Sequence, residues 1–200
     1  MRWAGAASAL ALLLAVVPAQ AERFWRPQAL LAAFFEDSEV VRADPLVLTP
    51  EERIVAEAIA KEPLSKEGYT IYVALSGARV DGLALLDEVP GLHEAIGYGV
   101  QLDPNGVVRR QEVMTYNERR GGEVRMESFR EQFVGKSASD PVRVGVDIDG
   151  VSGATISSRA MATGVRRSLA LAHVWRARHA LVSDDSREAA AGAETPSARP

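Results

Sequence analysis

The chain has no cysteine. That excludes disulfides, thiolate zinc sites, dithiol redox chemistry, covalent c-type haem and cysteine-held iron–sulfur clusters. It also removes the lipidated cysteine of a bacterial lipoprotein. Histidine is nearly as scarce. His93, His173 and His179 are scattered, and the six-residue step between the last two is not a ligand spacing on one helix face. No metal-ligand set follows. There is no excess of positive charge either: 23 Lys and Arg against 27 Asp and Glu leave a formal net charge of −4, so nucleic acid is not an implied partner. A long hydrophobic run is missing too, since the apolar stretch Ala4–Val17 falls short of the ~20 residues that span a bilayer.

That short run has a different meaning in its context. Arg2 gives a positive start, Ala4–Val17 an apolar middle, and Ala19-Gln20-Ala21 a small-x-small cleavage site. Residues 1–21 therefore read as a signal peptide, with the periplasm as the expected compartment; the alternative is an uncleaved N-terminal anchor. The remainder, in a chain of 200 residues that is 47% hydrophobic and 25% charged, is one domain's worth of core-forming sequence.

In residues 22–68 helical signals dominate, so this part is expected to be an N-terminal helical extension. Leu30, Leu31, Phe34 and Phe35 recur at helical spacing, and Val40–Leu48 is a weaker extended candidate. Thr49-Pro50-Glu51-Glu52 predicts a helix start, with Thr49 as N-cap, Pro50 at the first position and Glu52 closing a capping box. That helix runs to about Lys61, with Ile54, Val55, Ala58 and Ile59 as its apolar positions and Pro63 beyond its end.

From Tyr69 the period becomes extended. Tyr69–Leu75, Arg79–Leu86, His93–Leu102 and Val107–Tyr116 read as strands, the last two joined by the turn Asp103-Pro104-Asn105-Gly106. Short polar links favour antiparallel pairing. A loop over Asn117–Val124 leads to an expected helix at Arg125–Val134 with Met126, Phe129 and Phe133 on one side, then an alternating strand at Pro141–Ile148. An amphipathic helix follows from about Ser157 to Arg178, with Met161, Val165, Leu169, Ala172 and Val174/Trp175 inward. Its arginines Arg159, Arg166, Arg167, Arg176 and Arg178 read as a solvated face or a partner surface. Residues 183–200 are Ala/Ser/Glu/Pro-rich and expected to be disordered. The fold class expected is α+β, an antiparallel sheet flanked by helices.

Between the sheet and the long helix lies Asp149-Gly150-Val151-Ser152-Gly153-Ala154-Thr155. On residue chemistry alone two readings stand. One is an ordinary strand-to-helix link in which Thr155 or Ser157 caps the helix. The other is a hydroxyl presented behind small residues for modification, at a helix start suited to a new negative charge.

The order of residues bears on the choice. Asp149, two free positions, Ser152, then Gly153-Ala154-Thr155 resembles the flavinylation site of the FMN-binding domain family, covalently flavinylated periplasmic domains such as the FMN-carrying subunits of sodium-pumping NADH:quinone reductase and Rnf complexes. On average residue usage the pattern arises by chance in fewer than about one in a thousand chains of this length. Gln132-Phe133-Val134-Gly135-Lys136 is similar to a segment that precedes the flavin site in many such domains. Tyr116–Val124, with Glu118, Arg119, Gly121 and Gly122, is similar to a loop that family members place near the flavin ring. Better-known members carry Glu-Thr-Pro-Gly in a comparable loop, and this chain does not.

The resemblance covers about Gly97–Leu171 and implies an FMN-binding domain over 69–182. The resemblance further implies an FMN joined by its phosphate to Thr155 and installed by a flavin transferase that uses FAD and a divalent metal. Asp149 is expected either to orient the loop or meet that metal, or simply to form an Asp-Gly turn. Ser157 and Ser158 either bind the phosphodiester or cap the helix, and Arg119 and Arg120 either face the ring, favouring an anionic reduced flavin, or are solvated. The function implied is a single-flavin electron carrier served by a membrane or periplasmic redox partner. A small flavin-dependent reductase and a non-redox interaction protein are the alternatives.

Overall fold

The computed structural model describes the backbone of residues 22–193 and the side chains of residues 23–180. The expected signal peptide at 1–21 and the end of the tail, 194–200, lie outside the described residues.

The chain runs β1 (Glu22–Arg23), α1 (Pro27–Phe34), β2 (Val40–Val47), α2 (Pro50–Ala60), β3 (Gly68–Ser76), β4 (Arg79–Pro90), β5 (Ala95–Leu102) and β6 (Val108–Tyr116). Three short turns of helix follow, a 3-10 turn at Gly122–Arg125, α3 at Glu127–Arg130 and a 3-10 turn at Glu131–Phe133, and then α4 at Thr155–Ala193. The strands form one antiparallel sheet in the order β1-β6-β5-β4-β3-β2. This is the α+β arrangement that the strand and helix signals predict.

Alternation along each strand divides its side chains between two faces. Ile71, Val73, Leu83, Leu85, Tyr98 and Val100 meet α2 and α4, forming the larger core with Met161, Val165, Leu169 and Val174. On the other face Ala74, Ala84 and Met114 pack under Leu30 and Phe34 of α1. The centre of β4 is thus buried on both sides. Residues 22–68, expected to be a helical extension, supply two strands of this sheet and a helix on each of its faces. β2 pairs with β3 along its whole length, from Val40 opposite Leu75 to Val47 opposite Gly68.

The α2 start follows its local code. Thr49 Oγ1 accepts from the Glu52 amide at 3.2 Å, and Glu52 returns a carboxylate oxygen to the Thr49 amide at 2.8 Å. Its inward face is not the expected one. Ala56 and Ala60 are fully buried, while Ile54 and Val55 point outward. Two alanines let α2 lie close against α4, and Arg53 fastens the next loop by donating to the Leu64 and Lys66 carbonyls at 3.0 and 2.9 Å.

The arginines of α4 are mostly neither solvated nor free for a partner. Arg167, 6% exposed, donates to Glu62 Oε1 at 2.9 Å and to Asp87 Oδ2 at 3.0 Å. Arg166 donates to the Ala60 carbonyl, Arg178 to Glu52 and the Val47 carbonyl, and Arg176 to the Pro104 carbonyl. Tyr98 Oη donates to the Gly164 carbonyl at 3.0 Å, its phenol pushed up by burial. Together these contacts fix α4 from Gly164 to Arg178 against the sheet and α2.

Three further expectations change. The helix expected at 125–134 is broken at Met126, whose extended backbone (φ −63°, ψ 140°) begins α3; Met126 is exposed, whereas Phe129 and Phe133 meet edge-to-face in the core. Pro141–Ile148 is not a strand. Its backbone folds around Asp147, whose carboxylate accepts from the Arg143 and Val142 amides at 2.7 and 3.1 Å, and only an isolated bridge joins Val144 to Ile148. A side chain that satisfies nearby amides competes with a sheet ladder for them. Finally, α4 begins at Thr155 rather than Ser157 and continues through Ala193, over much of the tail expected to be disordered.

Candidate functional site

Two clamps hold the segment that leads into α4. Gln132 uses both ends of its amide on Asp149, accepting from its amide at 2.6 Å and donating to its carbonyl at 3.4 Å. Phe133 is buried, Gly135 turns the chain and donates to the Val108 carbonyl at 2.9 Å, and Lys136 Nζ lies 2.9 Å from Asp147 Oδ2. Within Gln132-Phe133-Val134-Gly135-Lys136, the side chains of Gln132 and Lys136 therefore seat the loop ahead of α4, while Phe133 and Gly135 anchor the segment to the core and to β6. Burial works to raise the Asp147 carboxyl, but the Arg143 amide, the Lys136 ammonium and the Val142 amide outweigh it and leave it lowered.

The chain then turns through Gly153 at φ +79°, with Ala154 buried and its amide donating to the Val151 carbonyl at 3.0 Å. Ser158 is fully buried; its hydroxyl accepts from the Val151 amide at 3.1 Å and donates to the Ala154 carbonyl at 2.9 Å. Thr155 is the first residue of α4 and is exposed. Amides in the first turn of a helix have no carbonyl partner within it, and Ala154, just before, has no side-chain acceptor to give them.

The loop after β6 reaches this start from the other side. Tyr116 Oη donates to the Arg120 carbonyl at 2.6 Å and lies 3.0 Å from Ser157 Oγ, with burial raising the phenol. Gly121, at φ +87°, presses into the junction. A Cβ there would stand 2.7 Å from Tyr116 Oη, 2.9 Å from Ser157 Oγ and 3.3 Å from the Ala154 Cβ, distances that only a glycine avoids.

Between these walls lies a cleft of about 510 Å³ lined by Gly153, Ala154, Thr155, Ile156 and Ser157 from α4 and its approach, Glu118, Arg119 and Arg120 from the loop after β6, and Leu92 and His93 from the turn between β4 and β5. Of the residues singled out in the sequence, Thr155, Gly153, Ala154, Ser157, Glu118 and Arg119 line it, and Gly121 packs behind it. Asp149, Ser152 and Gly122 do not line it. Asp149 is exposed and held through its backbone by Gln132, Ser152 is exposed, and Gly122 begins the 3-10 turn beside Arg125. Ser157 is 5% exposed with its hydroxyl turned toward Tyr116. Sequence reasoning missed Tyr116 as the link between walls, and missed Leu92 and His93 because His93 reads as the start of a strand, whereas β5 begins only at Ala95.

Residues 68–170, more than half of the chain, match the family model described as FMN-binding domain. The chain belongs to the FMN-binding domain family. The crystal structure of NqrC from Shewanella oneidensis is also similar, at 16% identity over 71% of this chain and 86% of that one, with a TM-score of 0.44. No curated protein matches.

FMN-binding membership can be tested against the cleft's own chemistry. Its volume lies within the roughly 300–1,000 Å³ of small-molecule and cofactor sites. Leu92, 59% exposed, and Ile156, 47% exposed, give it apolar surface that water covers poorly. Arg119 and Arg120 bring positive charge to the rim, and the first turn of α4 offers amide donors to a phosphate. These residues fit the cofactor of the family. Among the described residues no group of acidic and histidine side chains could hold a metal ion, and no helix is long and apolar enough to cross a membrane.

Proposed function

We propose that this FMN-binding domain is an exported electron carrier whose FMN is esterified through its phosphate to Thr155 Oγ. One observation carries the reading: the threonine of the Asp-x-x-Ser-Gly-Ala-Thr pattern is exposed on the first turn of α4 and lines the cleft. A bound FMN supplies reversible one- and two-electron chemistry.

Thr155 needs outside help to react. A hydroxyl is a weak nucleophile without a base, and the cleft's carboxylate, Glu118, is occupied by backbone amides. A flavin transferase with FAD and a divalent metal fits that need. Thr155 Oγ bonds to the flavin-side phosphorus, the pyrophosphate P–O bond breaks, AMP leaves with the bridging oxygen, and the threonine proton passes to a base of the transferase. The product phosphodiester keeps one negative charge at the start of α4, where amide donors favour it. Covalent attachment suits export, because a dissociable cofactor is lost to dilution outside the cytoplasm. The reading includes cleavage after Ala21 and exchange of electrons with a membrane or periplasmic partner.

Intact mass tests the attachment. Protein coexpressed with a flavin transferase is expected to gain one FMN less one water, and Thr155→Ala to gain nothing. No added mass, or added mass that survives Thr155→Ala, overturns the reading.

A second reading has one observation in its favour. A wider depression of about 710 Å³, with Glu62, Lys66, Glu94 and Arg159 in its lining, shares His93 and Ile156 with the cleft, leaving room for a small substrate beside a flavin. Steady turnover of a soluble acceptor by the isolated flavoprotein would favour a reductase.

A further inference from the structure

The loop after β6 is fastened at a second point, away from α4. Glu118 Oε1 accepts from the His93 amide at 2.6 Å and the Glu94 amide at 3.1 Å. Two successive amides converging on one oxygen form the kind of concave backbone site that holds phosphates and carboxylates. Gly91 closes the turn by donating to the Glu94 carbonyl at 2.9 Å. A Cβ on Gly91 would stand 2.5 Å from Glu118 Oε1 and 2.4 Å from the Glu94 oxygen, so the approach requires glycine. The His93 amide contributes most to holding the Glu118 carboxyl below the usual range, although the group is barely buried.

Both ends of this contact line the same cleft. Leu92 and His93 stand on one wall, Glu118 to Arg120 on another, and Thr155 and Ile156 on the third. The second wall is joined to the third through Tyr116 and Ser157. Glu118 therefore completes a chain of contacts that runs from the first turn of α4, through the loop after β6, to the turn at Leu92.

We propose that Glu118 is a positioning residue of the flavin cleft. By seating its carboxylate on the amides of His93 and Glu94 it fixes Leu92 and His93 as a wall facing the first turn of α4, and so sets how firmly a ring lying there is held. The inference rests on the reading that this cleft receives the flavin of Thr155. Arg119 and Arg120 follow Glu118 directly, so the same carboxylate sets where their cations stand at the rim.

The test uses the mature exported chain as wild type, Glu118→Ala, Glu118→Gln and Gly91→Ala, each prepared with and without coexpressed flavin transferase. In unloaded protein, amide hydrogen exchange at His93 and Glu94 is expected to be at least ten-fold faster in Glu118→Ala. Glu118→Gln, whose carbonyl oxygen still accepts, should recover part of that protection. In loaded protein, with the FMN mass on Thr155 measured for each variant, flavin fluorescence anisotropy per attached FMN is expected to fall and the visible bands to lose fine structure in Glu118→Ala. Gly91→Ala, which keeps the carboxylate but displaces the turn, should act like Glu118→Ala and carries the test should that variant not fold. Unchanged exchange, or faster exchange with wild-type anisotropy and spectrum, overturns the proposal. Wild-type protein without FMN mass defeats the attachment reading itself, a result told apart from these because exchange is read on the unloaded protein.

Discussion

Tyr116 Oη lies 3.0 Å from Ser157 Oγ and donates to the Arg120 carbonyl at 2.6 Å, so one buried phenol joins the end of the central sheet to the start of the long helix. Replacing it with phenylalanine leaves the Ser157 hydroxyl and the Arg120 carbonyl without that partner. An unsatisfied buried group costs about 1–3 kcal/mol. Tyr116→Phe is expected to lose about that much stability in chemical denaturation, with wild-type slope, and to load FMN less completely.

Gly121→Ala strikes the same junction by crowding it. The new Cβ would sit 2.7 Å from Tyr116 Oη at a positive φ. Overpacking and an unfavourable backbone each cost about 1–3 kcal/mol. A drop in Tm of several degrees is expected, since 1 kcal/mol is worth about 2–4 °C at this size. Calorimetry beside Gly153→Ala, whose Cβ would meet nothing within 4 Å but which shares the positive φ, separates crowding from backbone strain.

Thr155 should behave in the opposite way. It is exposed, and surface substitutions are usually within ±0.5 kcal/mol. Thr155→Ala is therefore expected to unfold at the wild-type denaturant midpoint while carrying no flavin. A large loss of stability would mark the residue as structural.

Acid should loosen the loop ahead of α4 through Asp147. Its folded carboxyl is lowered, so its contribution is present in full above the unfolded value of about 3.9 and is lost as pH falls through the folded value. Asp147→Asn is expected to be less stable than wild type at pH 7, with the gap closing below about pH 4. A gap that stays constant down to pH 3 would remove the carboxylate's charge from the account.

Arg167 is the most consequential charge in the core. Removing one partner of a buried ion pair typically costs about 3–5 kcal/mol, because the other charge is stranded. Arg167→Met would strand Glu62 and Asp87, although Lys66 still pairs with Asp87. Adding Glu62→Gln should recover part of the loss in urea unfolding.

What could be read from the sequence was local. The Thr49–Glu52 capping box closes over three residues, and the β3 to β6 alternation is legible within each strand. The Gly-Ala-Thr order also stood in one short stretch, ahead of a helix that forms almost where its periodicity indicated. Partners far along the chain were not legible. Arg167 looks solvated until Glu62 and Asp87, 105 and 80 residues away, come beneath it. Ser157 looks like a cap until Tyr116, 41 residues earlier, takes its hydroxyl. The alternation of Val142, Val144, Val146 and Ile148 suggested a strand because a carboxylate that folds its own neighbourhood leaves no periodic trace. Ile54 and Val55 misled for a related reason: the close approach of α4 favoured Ala56 and Ala60 over bulk.

Arg166, Arg167 and Arg178 bolt α4 to α2 and its flanking loops, and Tyr98 ties it to β5, so the helix behaves as a mast stepped into the body of the protein. An FMN esterified at the foot of that mast, as proposed above, would have no swinging arm beneath it. Such a carrier would not deliver electrons by reaching: a partner would have to come to the foot of the mast, and the rate of exchange would be governed by how closely the two surfaces could meet there.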